Sequence, residues 1–227
     1  MKTCIISFSS RANGNCAQIA HLVESMTQDA VLFDFSEFEL HPCGKCACEC
    51  FADREKCPYI GDMECRILEA VTNSDITYFI LPNYCDYPCA NYFIFNERSQ
   101  CWFRNRPNLL DRYLKVPKRC IVVSNTNRDN FTQALSYQSE IPPEILFLSA
   151  KKYGKISIQG NLLESNEAVE EIRRFVKKQP ANRSFRHKSL EERAAEYGGI
   201  NLEGELDWLG APVGNELNWN SNQPEDK

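Results

Sequence analysis

Two stretches of the sequence carry residue types that could do chemistry. The first is Ser9-Ser10-Arg11-Ala12-Asn13-Gly14-Asn15-Cys16, placed after an apolar run and before an amphipathic one. That order brings backbone N–H groups and hydroxyls to the start of a helix, where unpaired donors and the macrodipole favour an anion, phosphate above all. Gly14 permits a tight turn, Ser9 and Ser10 can donate hydrogen bonds, and Arg11 can add a charged, bidentate contact. On composition alone the alternative is a polar turn in which Asn15 caps the helix. The second stretch holds Cys43, Cys46, Cys48, Cys50 and Cys57, with Cys65 further along a helical pattern. Thiolates are soft ligands, and the preferred set Cys43-x2-Cys46-x3-Cys50-x6-Cys57 would let a loop wrap a small metal centre. A 4Fe-4S cluster, zinc, and free or redox-active thiols all remain open for it.

These residues need a scaffold, and the apolar pattern supplies one. Runs at 4–8, 30–35, 76–81, 120–123 and 145–148 read as buried strands of a largely parallel sheet. Between them lie helical patterns: Ile19, Leu22, Val23 and Met26 share one face, as do Val169, Ile172, Phe175 and Val176. Alternating strands and helices predict a doubly wound α/β fold, in which ligands sit at the carboxyl ends of the strands. On that edge Ser124 and Asn125, after the fourth strand, form a further candidate loop. The stretch 155–159 either extends the last strand or forms one of its own.

Composition narrows the function classes. A chain of 227 residues holds one sizeable α/β domain plus an appendage, and its net charge of -5 disfavours broad nucleic-acid binding. No apolar run is long enough for a membrane span or a secretory leader, so a cytoplasmic location is expected. Twelve cysteines without a leader suggest thiol, metal or redox use rather than a disulfide scaffold. Cys4 and Cys120 fall in strands and read as small core residues, while Cys89 and Cys101 have no assigned role.

The order S-x-R-x-x-G-N from Ser9 to Asn15 resembles the phosphate loop of flavodoxin-like NADPH-dependent FMN reductases and iron-sulfur flavoproteins. In that family a Ser or Thr usually follows; here it is Cys16. Leu81-Pro82-Asn83-Tyr84-Cys85-Asp86, then A-N-Y-F-I-F-N-E-R from Ala90 to Arg98, is similar to the family's S/T-P-V-Y-aromatic-G and A-Q-L-K-A-F-I-D-R. Pro82, Tyr84, Ala90, Phe95 and Arg98 match. The cysteine segment resembles that of the family's cysteine-rich members, with Gly61-Asp62-Met63 as its acidic-Met ending.

The resemblance implies a five-stranded parallel sheet of order 2-1-3-4-5. It implies FMN with its phosphate on the loop from Ser9 to Cys16 and its ring against Pro82, Asn83, Tyr84, Cys85 and Asp86. It also implies NAD(P)H as donor, a small electron acceptor, and a homo-oligomer acting as reductase or electron carrier. The competing expectation is a binding module that keeps the fold without flavin. The expected organisation is a domain over 1–180 with a cysteine-rich insertion at 43–65, followed by a tail over 181–227. From residue 189 onward the tail has nine Asp or Glu against two Lys or Arg. Its L-E-E-R, then G-E-L-D-W and A-P-V-G-N-E-L-N-W, resembles the toxin-binding segment of MazE-type antitoxins. That likeness implies a MazF-type toxin as partner, with Trp208, Val213 and Trp219 as anchors.

Overall fold

The computed structural model describes residues 1–44, 47–125 and 130–178. Five parallel strands, β1 (Lys2–Ser7), β2 (Asp29–Asp34), β3 (Ile76–Tyr84), β5 (Lys118–Ser124) and β6 (Glu144–Ser149), lie in the order β2-β1-β3-β5-β6. The two-residue β4 (Tyr87–Pro88) folds back antiparallel on the end of β3. With β4 set aside, the order is the 2-1-3-4-5 arrangement expected from the sequence, and every apolar run is a strand. The architecture is a doubly wound, flavodoxin-like α/β fold.

Helices cover both faces, which is why the central strands read as continuous apolar runs rather than alternating ones. On one face α1 (Asn15–Ser25) and α6 (Asn166–Lys177) pack Ile19, Val23, Ala168 and Ile172 against Ile5, Tyr78 and Ile121. On the other lie α2 (Glu64–Thr72), α3 (Ala90–Phe103), α4 (Pro107–Lys115) and α5 (Phe131–Leu135). There Phe8 is the hub, with the rings of Phe35, Phe79, Phe95 and Tyr92 centred 5.1 to 5.7 Å from its own. Each such buried ring contributes on the order of 2 kcal/mol of transfer free energy.

One expectation fails here. Residues 155–159 form no strand: Ser157–Gln159 is a single 3-10 turn. Ile156-Ser157-Ile158 alternates like a strand, but Gly154 and Gly160 hold φ of +66° and +69° and bend the chain back across the sheet edge. Ile156 and Ile158 are left 52% and 68% exposed.

The chain divides into two units, Met1–Arg183 and Ser184–Lys227. The second, with Trp208, Val213 and Trp219, lies outside the described residues, as does Cys46. Among the described residues no helix is long and apolar enough to cross a membrane.

Candidate functional site

Parallel pairing aligns the strand ends, with Ser7 opposite Ile80, Pro82 opposite Val123 and Ser124 opposite Ser149. The loop after β1, the β3–β4 hairpin, Asn125 and the segment after β6 therefore share one edge. In the first of these, Gly14 N–H closes a turn on Arg11 O at 3.0 Å, and Gly14 precedes α1 without any side-chain cap. A Cβ at Gly14 would lie 3.1 Å from Arg11 Cβ, a tight contact in which Arg11 would have to give by a few tenths of an ångström. Ser9 Oγ accepts from Arg11 N–H (3.2 Å) and Ser10 Oγ accepts from Asn91 Nδ2 (2.9 Å), which leaves both hydroxyl protons available to an anion. Ser7 Oγ, fully buried on the α1 side of β1, has no hydrogen-bond partner.

The segment after β6 straps this loop. Arg11 Nη2 donates to Ile158 O (2.6 Å), Asn15 Nδ2 to Ser157 O (2.8 Å), Gln18 Nε2 to Gly160 O (2.8 Å) and Asn125 Nδ2 to Ser157 Oγ (2.7 Å). Asn15 Oδ1 also accepts from Leu162 N–H at 2.9 Å. Asn15 is therefore not the helix cap; both ends of its amide hold the strap, and the residue also lines the cavity beside the loop. Gly160 presses so close that a Cβ there would stand 2.8 Å from Asn13 O. Cys16 is a buried first-turn residue whose thiol is held well above its ordinary range, chiefly by burial. Ser9, Arg11, Gly14, Asn15, Cys16, Pro82, Asn83, Tyr84, Ser157 and neighbours enclose a cavity of about 60 Å3.

The hairpin turns on Cys85 and Asp86, whose φ of 53° and 68° form the two-residue left-handed turn typical of tight hairpins. Asp86 thus stands where glycine is favoured. Tyr84 and Tyr87 flank the turn and are both about half exposed. Asn83 Nδ2 donates to Ser124 Oγ at 2.8 Å, so the buried Ser124 ties the hairpin to β5.

The cysteine-rich insertion packs on α3, not on the β1–α1 loop. Arg98 of α3 binds both carboxylate oxygens of Asp62 and reaches Tyr59 O, while Cys43 N–H donates to Glu97 Oε1 (3.1 Å). The Asp62 and Arg98 motifs, far apart in sequence, are partners in one ion pair. Cys50 Sγ lies 3.2 Å from Cys101 Sγ, near the carboxyl end of α3. Burial, with Cys50 hydrogen-bonded to it and Cys43 and Cys57 close by, pushes the Cys101 thiol up to about 12. Cys43, Cys57, Cys65 and Cys101 line a cavity of about 20 Å3 with Arg54, Arg98 and Glu64. Burial pushes Glu64 up to about 9. Along α3, the ten residues from Asn91 to Cys101 put Cys101 roughly 15 Å from the point where Asn91 meets the β1–α1 loop.

Sequence reasoning passed over Asn91, Ser157, Glu64 and Cys101. Asn91 and Cys101 stood within or beside recognised motifs; nothing in the sequence alone marks Ser157 or Glu64.

No family model matches the chain, and no curated protein matches it in sequence. Solved structures do match its fold. The Trp repressor binding protein from Bacillus subtilis is 14% identical over 79% of this chain and 100% of its own, with a TM-score of 0.53. Smu.1420 from Streptococcus mutans is 18% identical over 77% of this chain and 100% of its own, with a TM-score of 0.52. A protein from Klebsiella pneumoniae, provisionally named a quinone reductase, is 11% identical over 79% of this chain and 86% of its own, with a TM-score of 0.51. At such identities the likeness establishes the fold alone.

Proposed function

Starting from that fold, we propose that the domain holds FMN at the β1–α1 loop and works as an NAD(P)H-dependent reductase or electron carrier. The observation that carries the reading is the donor set on one sheet edge. The Ser9 hydroxyl, the remaining Arg11 N–H groups and an uncapped helix start surround a cavity of about 60 Å3, with the Ser10 hydroxyl on the same loop. That volume suits a phosphate group and falls well short of the roughly 300 Å3 of a pocket that encloses a whole small molecule. The phosphate end of FMN therefore fits the residues present, and its ring would lie outside the cavity. The fold of the quinone-reductase structure lends the same reading analogical support.

In this account Arg11 and the first turn of α1 fix the phosphate, and the Tyr84–Tyr87 hairpin offers exposed aromatic surface to a ring. When bound, the flavin supplies hydride acceptance and one- or two-electron transfer. The chain's own residues bind and orient, and no side chain is assigned as acid or base. The test is the absorption spectrum of the full chain as purified and after incubation with FMN. Retained yellow flavin that reduces on adding NADH or NADPH is expected; a colourless protein unable to take up FMN overturns the reading.

One observation favours a second reading, a flavin-free module acting through its acidic tail. Arg11, Asn15, Gln18 and Asn125 already spend hydrogen bonds on residues 157–160. Failure of FMN uptake, with the loop protected from hydrogen exchange, would support it.

A further inference from the structure

We propose that Cys101 of α3 joins Cys43, Cys50 and Cys57 of the insertion to bind a single thiophilic divalent ion of the zinc class. The proposal is independent of the flavin reading. Its first support is the 3.2 Å between Cys50 Sγ and Cys101 Sγ, which joins residues 51 positions apart. Around a tetrahedral zinc with Zn–S bonds of about 2.3 Å, two ligand sulfurs stand roughly 3.8 Å apart, a small adjustment from that contact. In a 4Fe-4S cluster each thiolate takes a different iron, so the sulfurs are pushed far beyond contact. Cys50 and Cys101 together suit one ion and not a cube.

The second support is the cavity that Cys43, Cys57 and Cys101 line in common, about 20 Å3 in volume. A space of that size suits one ion. The third is charge: four thiolates around one divalent ion leave a net charge of -2, and the guanidiniums of Arg54 and Arg98 line the same cavity.

Among the described residues no three such side chains already stand at coordination distance. Ion binding must therefore rotate Cys43 and Cys57 inward, and Cys43 is exposed beside Gly44, around which there is open space. The step balances as four thiols and one divalent ion giving a tetrathiolate complex and up to four protons, with no change of oxidation state. The site would bolt the insertion to α3.

The test uses the full chain, stripped with a chelator under reducing conditions and then titrated with zinc or cobalt. About one equivalent should bind, with thiolate-to-cobalt charge-transfer absorption, and zinc should protect Cys43, Cys50, Cys57 and Cys101 from alkylation, read by peptide mass. Cys101→Ser should weaken zinc binding by at least about a hundredfold, while Cys48→Ser leaves it unchanged. The alkylation pattern of the unmodified protein serves even where Cys101→Ser fails to fold. Three outcomes overturn the proposal: Cys46 protected and Cys101 not; iron with inorganic sulfide in place of one ion; or a Cys50–Cys101 disulfide, two hydrogen masses lighter, in a protein that binds no metal when reduced.

Discussion

Replacing Asp62 by Asn should loosen the insertion and destabilise the whole domain. Arg98 is 5% exposed and Asp62 13%, and the guanidinium binds both carboxylate oxygens and Tyr59 O. Breaking a buried pair by removing one charge typically costs 3–5 kcal/mol, because the surviving charge is left without compensation. Asparagine keeps one acceptor oxygen and Asp62 is not wholly buried, so about 2–4 kcal/mol is expected. For a chain of this size that is a fall in Tm of roughly 4–16 °C. Arg98 has a fallback in Glu64, whose charged form it favours. Urea unfolding of Asp62→Asn, Arg98→Met and the double variant gives the coupling energy, and adding Glu64→Gln removes the fallback. A cost below about 1 kcal/mol with no coupling would refute the reasoning, since that is the behaviour of a surface salt bridge.

Lys118 is 2% exposed, and burial lowers it to about 7 from 10.5. The unfolded chain binds its proton more readily between those values, so this group's penalty is full below about pH 7 and fades as pH rises toward 10. Lys118→Met should accordingly stabilise the protein most at pH 6 and remove a slope of at most about 1.4 kcal/mol per pH unit, read by urea denaturation across that range. Gly160→Ala meets both a positive φ and Asn13 O at 2.8 Å. A cost of about 1–3 kcal/mol, with faster hydrogen exchange confined to residues 155–162, is expected; unchanged exchange would show that the strap does not rest on this contact. Asn15→Ala removes both amide contacts to the strap and should raise exchange at Leu162 N–H by at least about tenfold; no change there would deny its role as the tie.

The sheet was legible because buried parallel strands leave long apolar runs, and Phe8 and Phe79 have neighbours that only such a core provides. Ile156-Ser157-Ile158 misled because two-residue periodicity says nothing about the chain reversals at Gly154 and Gly160 that decide where the segment goes. In the β1–α1 loop the hydroxyls and Gly14 were readable from order alone. Asn15 was not: its hydrogen-bond partners lie more than 140 positions away. The cysteines show the same limit. Spacing groups Cys43 to Cys57 as one loop, whereas Cys101 meets Cys50 because contacts such as Asp62–Arg98, Cys43–Glu97 and Arg54–Trp102 lay the insertion along α3.

The most direct test of the functional account is a paired titration of the full chain with FMN and riboflavin, followed by flavin fluorescence. The donors gathered on the β1–α1 loop address the phosphate, which riboflavin lacks, so FMN should bind at least about tenfold more tightly and lose most of that advantage in Arg11→Ala. Equal affinity for the two, or no binding of either, would contradict it.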